Sequence, residues 1–268
     1  MRVLRSSWTL SRIVLHIFTG IAREMLFLLR FGRGWFLQRR GMDAIQAWMQ
    51  GLLRIMHIEV KVSGDLPRET VLLVSNHITW LDIIVLSSVY PYSFLSKSEV
   101  RSWPIIGALT AMSGTLFIRR DDVRSLKHSI RTIRDRLHKG RSVSMFPEGT
   151  TRAEGLHPFK TGLFAAAIEA QVKLQPVTIQ YLSNGERDLS VAYVDDDNFM
   201  INLAQQAGKK DMTVELHFLP SIMPNCDRRE LAHLAYTAIK ERQYQLNEKS
   251  HIDNAYQFIP QTAQQKIA

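Results

Sequence analysis

The chain holds one cysteine, Cys226, in 268 residues. That excludes an intrachain disulfide and any zinc site built from several thiolates, and it suits a reducing compartment. It has no uninterrupted apolar run of the ~20 residues that a membrane-spanning helix needs. Ile13–Ala22 carries no acid, Lys or Arg, and Met25–Leu29 is apolar, but Arg23 and Glu24 stand between them. Charges at a bilayer centre cost roughly 2.5–3.5 kcal/mol each, which weighs against a spanning helix, although the sequence alone leaves open whether this segment spans a membrane or lies on it. A small-residue cleavage site after the run is also missing, which argues against a signal peptide. The chain lacks a G-x-S-x-G elbow, a phosphate-binding G-x-x-x-x-G-K-[ST] loop, a dinucleotide G-x-G-x-x-G and an H-E-x-x-H zinc helix. It shows no internal repeat. A histidine base in such a chain has no obvious protein nucleophile to serve, so the attacking group is expected from the substrate, most simply a hydroxyl.

Acidic residues are in deficit: 25 Asp and Glu stand against 34 Lys and Arg, a net charge of +9. That balance favours an anionic partner, whether a membrane surface, a phosphorylated substrate or nucleic acid. Hydrophobic content of 46% is enough for a full core. At about 100° per residue, Arg12, His16, Thr19, Arg23 and Arg30 fall in one narrow stripe, and the rest of that helix is nearly all apolar. This is the pattern of a helix lying in a bilayer interface with its basic residues toward headgroups. Residues 30–40 interleave aromatics with arginines, again an interfacial composition. A second helix is expected over Asp43–Met56, capped by Asp43. Residues 1–56 are therefore expected to form an N-terminal amphipathic two-helix membrane-binding segment, although the same helices also fit simple packing on a core.

From residue 57 strands and helices alternate. Strands are expected at His57–Val62, Val71–Val74, Phe94–Ser96, Thr115–Ile118, Ser142–Phe146, Leu174–Ile179, Leu189–Val194 and Met212–Phe218. Helices are expected at Leu81–Val89, Pro104–Met112, Val123–His138, Gly162–Ala170, Phe199–Gln206 and Arg228–Leu246. This alternation predicts an α/β fold over 57–247, a mostly parallel sheet covered by helices, with function at the carboxyl ends of the strands. Residues 248–268, polar and Gln-rich, read as a loosely ordered tail.

Three strand-end loops carry the candidate chemistry. Asn76 and His77 follow the apolar run Val71–Val74, and Asp82 comes five residues after His77. A five-residue offset does not share a helix face, so His77 must precede the first turn, with Asp82 reaching back to one ring nitrogen as an orienting carboxylate. A core histidine beside a helix-capping aspartate has the same spacing. The second loop presents Arg119 and Arg120, a possible phosphate clamp or a solvated charge cluster. The third, Phe146-Pro-Glu-Gly-Thr-Thr-Arg152, offers Glu148, Gly149, Thr150 and Arg152, with Lys160 before a later helix start. Its turn-rich composition alone also fits a plain connection.

Taken in order, Asn76-His77-Ile-Thr-Trp-Leu-Asp82, Pro104-Ile-Ile-Gly107 with Gly114 to Arg120, Phe146-Pro-Glu-Gly-Thr150 and Gln175-Pro-Val-Thr-Ile179 resemble the four blocks of the glycerophosphate and lysophospholipid acyltransferase family. Two positions depart from its pattern: Thr151 precedes Arg152, and Gln175 replaces a common valine. The resemblance implies His77 as general base on a lysolipid hydroxyl, Asp82 as its orienting partner, and an acyl-CoA or acyl-carrier protein thioester as co-substrate, with no metal or other cofactor. It implies that Arg120, Glu148, Gly149 and Arg152 hold the acceptor's polar head, with Glu148 bonding a hydroxyl or pairing an arginine, that Asn76 or backbone amides stabilise the oxyanion, and that the protein works at the cytoplasmic face of the inner membrane. Thr150 and Lys160, from the loop residues themselves, are expected to contact substrate as well. The expected acceptor is 1-acyl-sn-glycerol-3-phosphate, with lyso-ornithine lipid as the alternative. A basic nucleic-acid binder would explain the charge but not the histidine–aspartate block. A catalytically silent lipid-binding protein of the same fold would not need that block intact.

Overall fold

The computed structural model describes residues 2–32, 39–102, 107, 110, 114–118, 123–194 and 197–257. Two N-terminal helices, α1 (Arg2–Phe31) and α2 (Arg39–Ile55), precede β1 (Ile58–Ser63) and β2 (Val71–Ser75). Helix α3 (Leu81–Val89), β3 (Ser93–Lys97), β4 (Leu116–Ile118), α4 (Val123–His138) and β5 (Val143–Met145) follow. After them come α5 (Ala165–Ala170), β6 (Lys173–Ser183), β7 (Glu186–Arg187), α6 (Phe199–Ala207), β8 (Met212–Phe218) and α7 (Arg228–Gln257).

The strands form one sheet in the order β1-β8-β6-β2-β5-β3-β4, with β7 hairpinned on β6. All pairings are parallel except β6 with β8 and β6 with β7. β2 lies in the middle, and its five residues are all buried. Val71 and Leu73 face one core, with α1, α2 and α3, while Leu72 and Val74 face the other, with α4, α5 and α7. A strand covered on both faces has no polar side to show, so it reads as an unbroken apolar run.

Helix α3 is short and rich in β-branched residues, so packing rather than propensity holds it. It stops because Tyr90 precedes Pro91 and is extended, at φ −149° and ψ 139°. Two of its last carbonyls are then taken by α2: Gln46 Nε2 donates to Ser88 O and Val89 O, and Gln50 Nε2 donates to Ser88 O. The N-terminal helices thus serve the core directly, and Ile13, Leu52, Leu53 and Met56 are buried in it.

Several expectations change here. Asp43 does not cap α2, which begins at Arg39. His16 and Arg23 do not turn toward headgroups. His16 stacks on Trp48 and shares a 2.9 Å bond with its carbonyl, and Arg23 donates to Glu24 and to Ala44 O, so this part of the polar stripe faces α2. The opposite face of α1 is left open, with Leu4, Trp8, Val14, Leu15, Phe18, Met25, Leu26 and Leu29 all exposed. No helix among the described residues is long and apolar enough to cross a membrane. Leu189–Val194 is not a strand. Asp188 caps a single 3-10 turn, Leu189–Val191, and Tyr193 spends its main-chain groups on two loops instead of a ladder: its N–H donates to Ile78 O, and its carbonyl accepts from Thr151 Oγ1. Helix α7 runs past Leu246 to Gln257, so the first part of the expected tail is helical. Most of the expected helix Pro104–Met112 lies outside the described residues, although Gly107 and Thr110 are helical.

Candidate active site

β2 ends at Ser75, and the next residue locks the loop to the neighbouring strand. Asn76 Nδ2 donates to Ile179 O at 3.0 Å, and Ile179 N donates back to Asn76 Oδ1 at 2.8 Å. This reciprocal pair makes Asn76 a clamp between the end of β2 and β6.

His77 follows, and its Nδ1 lies 2.8 Å from Asp82 Oδ2. Asp82 sits in the first turn of α3 and is fully buried. The same Oδ2 accepts the N–H groups of Ile78 at 2.7 Å and Thr79 at 3.0 Å, while Oδ1 accepts the Tyr181 hydroxyl at 2.7 Å. A carboxylate only accepts, so this network assigns the imidazole proton to Nδ1 and leaves a lone pair on Nε2. The ring stacks on Phe146, with centroids 3.9 Å apart and planes 9° apart, and the His77 side chain keeps 17% exposure. It is a fixed imidazole that is not sealed from solvent.

The third loop holds the main chain of His77 from both sides. Glu148 Oε1 accepts His77 N–H at 2.9 Å, and Arg152 N–H donates to His77 O at 2.8 Å. The other Glu148 oxygen accepts His157 N–H at 2.9 Å. Glu148 is 5% exposed. Burial pushes its carboxyl above the usual range, and the N–H groups of His157 and His77 draw it partly back. The residue therefore braces two loops. Gly149 takes φ 82°, a conformation that favours glycine in this tight turn. Thr150 is exposed. Arg152 is half-buried, and its Nε has no partner among the described residues. Lys160 is exposed, and its N–H donates to Pro147 O, which keeps that residue beside the loop.

The structure thus gathers Asn76, His77, Asp82, Glu148, Gly149 and Arg152 at the carboxyl ends of β2 and β5, with Lys160 alongside. Arg120 lies outside the described residues. No group of three His, Cys, Asp or Glu side chains among the described residues is arranged to hold a metal ion. The sequence reading missed Tyr181, which is 1% exposed on β6, and the stacking role of Phe146. Tyr181 shares its strand parity with Val177 and Ile179 but also with Gln175, so the local pattern did not single out its hydroxyl.

The acyltransferase family model matches residues 57–180, a stretch that contains all three candidate loops. A lyso-ornithine lipid O-acyltransferase of Pseudomonas aeruginosa is 40% identical over 195 residues, 72% of this chain and 75% of that one. A 1-acyl-sn-glycerol-3-phosphate acyltransferase of Neisseria gonorrhoeae is 38% identical over 156 residues, 57% of this chain and 61% of that one. The crystal structure of the 1-acyl-sn-glycerophosphate acyltransferase of Thermotoga maritima superposes with a TM-score of 0.65 at 19% identity, covering 92% of this chain and 98% of that one. With its fold shared and three quarters of a curated relative aligned at this identity, the chain belongs to the acyltransferase family.

Proposed function

We propose that this protein transfers a fatty acyl chain from an acyl-CoA or acyl-carrier protein thioester to the free hydroxyl of a lysolipid at an anionic membrane surface. The observation that carries the reading is His77: its Nδ1 is tied to buried Asp82, its N–H and C=O are both held, and its side chain keeps 17% exposure, which leaves Nε2 as the ring nitrogen free of the Asp82 tie. Nε2 takes the proton of the lysolipid hydroxyl as its oxygen attacks the thioester carbonyl. Asp82 keeps the ring in the working tautomer and stabilises the imidazolium that forms. Collapse of the tetrahedral intermediate expels the thiolate, which takes the proton from Nε2, so His77 returns to its starting state. Arg152 and Lys160 supply positive charge beside the loop and suit an anionic headgroup. Arg120 is assigned to the same task from the resemblance.

The exposed apolar face of α1 suits insertion into the bilayer interface, where the lysolipid resides, and the chain's +9 charge suits anionic lipid on the cytoplasmic side of the inner membrane. The basic groups favour 1-acyl-sn-glycerol-3-phosphate as acceptor, giving phosphatidic acid. The extent of the match to the P. aeruginosa protein favours the second reading, lyso-ornithine lipid. Purified protein is to be assayed with acyl-CoA and acyl-carrier protein against both acceptors. Diacyl product that disappears with His77→Ala is the expected result. Absence of transfer to every lysolipid tested would remove the reading.

A further inference from the structure

We infer that Tyr181, outside every sequence block of the site, is a positioning residue for the reaction that acts through Asp82. This role assumes the reading above, in which His77 is the base that takes the lysolipid's proton. The two oxygens of Asp82 are loaded unequally. Oδ2 collects His77 Nδ1, Ile78 N and Thr79 N, whereas Oδ1 has the Tyr181 hydroxyl, at 2.7 Å. Asp82 is 0% exposed and Tyr181 1%. No bulk water is at hand to replace a lost donor there, and a buried carboxylate oxygen without a partner is costly. The phenol is a dependable donor, because burial and the neighbouring Asp82 hold its ionisation well above the usual tyrosine range.

The backbone under Tyr181 is equally fixed. It lies on an 11-residue strand that is paired with β8 opposite Val214. Two residues earlier, Ile179 exchanges two hydrogen bonds with Asn76. The segment from Asn76 to Asp82 is therefore tied to β6 twice, at Ile179 by the Asn76 amide and at Tyr181 by the Asp82 carboxylate. The second tie stops the carboxylate from rotating, and rotation would take Oδ2 off the imidazole.

The variant Tyr181→Phe removes one oxygen and keeps the ring. We expect kcat to fall by about 10-fold, in line with the loss of a hydrogen bond to a charged group, with KM for the lysolipid and for the thioester donor changed by less than about 2-fold. In an Asp82→Asn background the same substitution should change kcat by less than about 2-fold, since its effect passes through the carboxylate. A merely structural tyrosine would not give that coupling. Where Tyr181→Phe alone does not accumulate as folded protein, Asp82→Asn/Tyr181→Phe, which buries no unpartnered carboxylate oxygen, is compared with Asp82→Asn. Equal kcat supports the role, and a further fall overturns it. Unchanged kcat in Tyr181→Phe, a rise in KM without a fall in kcat, or equal losses in both backgrounds also overturn it. Failure of the wild-type protein to acylate any lysolipid would instead count against the proposed function, so the two failures are separable.

Discussion

Glu148→Gln separates two roles for this residue that a sequence block cannot tell apart. In the structure its two oxygens hold His77 N–H and His157 N–H, each at 2.9 Å. An amide has one oxygen, so one of these N–H groups must face an NH₂ group and lose its acceptor. A hydrogen bond to a charged group contributes about 1.5–3 kcal/mol. Part of that loss is returned. Because burial raises the folded-state carboxyl value, the contribution of Glu148 is fullest at low pH and is lost as pH rises through the raised value, a cost that a neutral amide escapes. The net destabilisation at neutral pH should be about 1–2 kcal/mol, a fall in Tm of roughly 2–8 °C. The kinetic effect should be larger than the thermal one, since misplacing a catalytic group by about 1 Å costs on the order of 10²-fold. We expect kcat to drop about 10- to 100-fold with KM for the lysolipid within about 2-fold, measured by initial-rate assays on purified protein beside thermal melts. If kcat is retained while the lysolipid KM rises 10-fold or more, Glu148 contacts the acceptor and the bracing role is wrong.

Replacing His77 by Ala should lower kcat by at least about 10²-fold without unfolding the chain, as expected for loss of general-base assistance; near wild-type turnover would refute the mechanism. On α1, Leu15 and Phe18 are 63% and 61% exposed, so Leu15→Asp/Phe18→Asp should leave the melting temperature nearly unchanged. Each apolar side chain withheld from lipid forfeits about 2 kcal/mol, so binding to anionic vesicles should fall by more than about 100-fold in co-sedimentation. Substitution is the cleaner test than truncation, because α1 also buries Ile13 and Thr9. Asp188 pairs with Lys209 at 2.7 Å. Burial pushes its carboxyl up, but Lys209 and Ser190 more than reverse this and hold it below the usual range. A depressed folded value stabilises above the unfolded value of about 3.9 and stops doing so as pH falls through the folded one. Asp188→Asn should therefore lower Tm at pH 7, and the gap to wild type should narrow below about pH 4; a gap that stays constant down to pH 2 would refute the assignment.

Elements whose faces are defined by local pattern were legible. The run Val71–Val74, the helices Leu81–Val89 and Val123–His138, and the strand Met212–Phe218 match the structure at or within a residue of their expected bounds. The positions of His77 and Asp82, at a strand end and a helix start, were legible for the same reason. What escaped depends on partners far away in the chain. Leu189–Val194 has strand composition, but Tyr193 bonds to Ile78 and Thr151 instead of to a ladder. The bracing bonds of Asn76 and Glu148 could not be read from their motifs, because Ile179 and His157 lie elsewhere in the chain. No window around residue 181 reveals that its hydroxyl meets a carboxylate 99 residues earlier. On α1, periodicity picked out the polar stripe, but it turned His16 and Arg23 toward headgroups when α2 was their partner.

The two residues after His77 serve Asp82 through their peptide N–H groups alone. Side-chain identity at Ile78 and Thr79 is thus largely free as far as the carboxylate is concerned, and proline is the one residue barred from both places, because it has no N–H to give. The constraint that does bind is arithmetic. Inserting or deleting one residue between His77 and Asp82 would turn the carboxylate by about 100° around α3 and carry it away from the imidazole and both amides at once. What Asp82 asks of residues 78 and 79 is thus a count of peptide units between the imidazole and the helix.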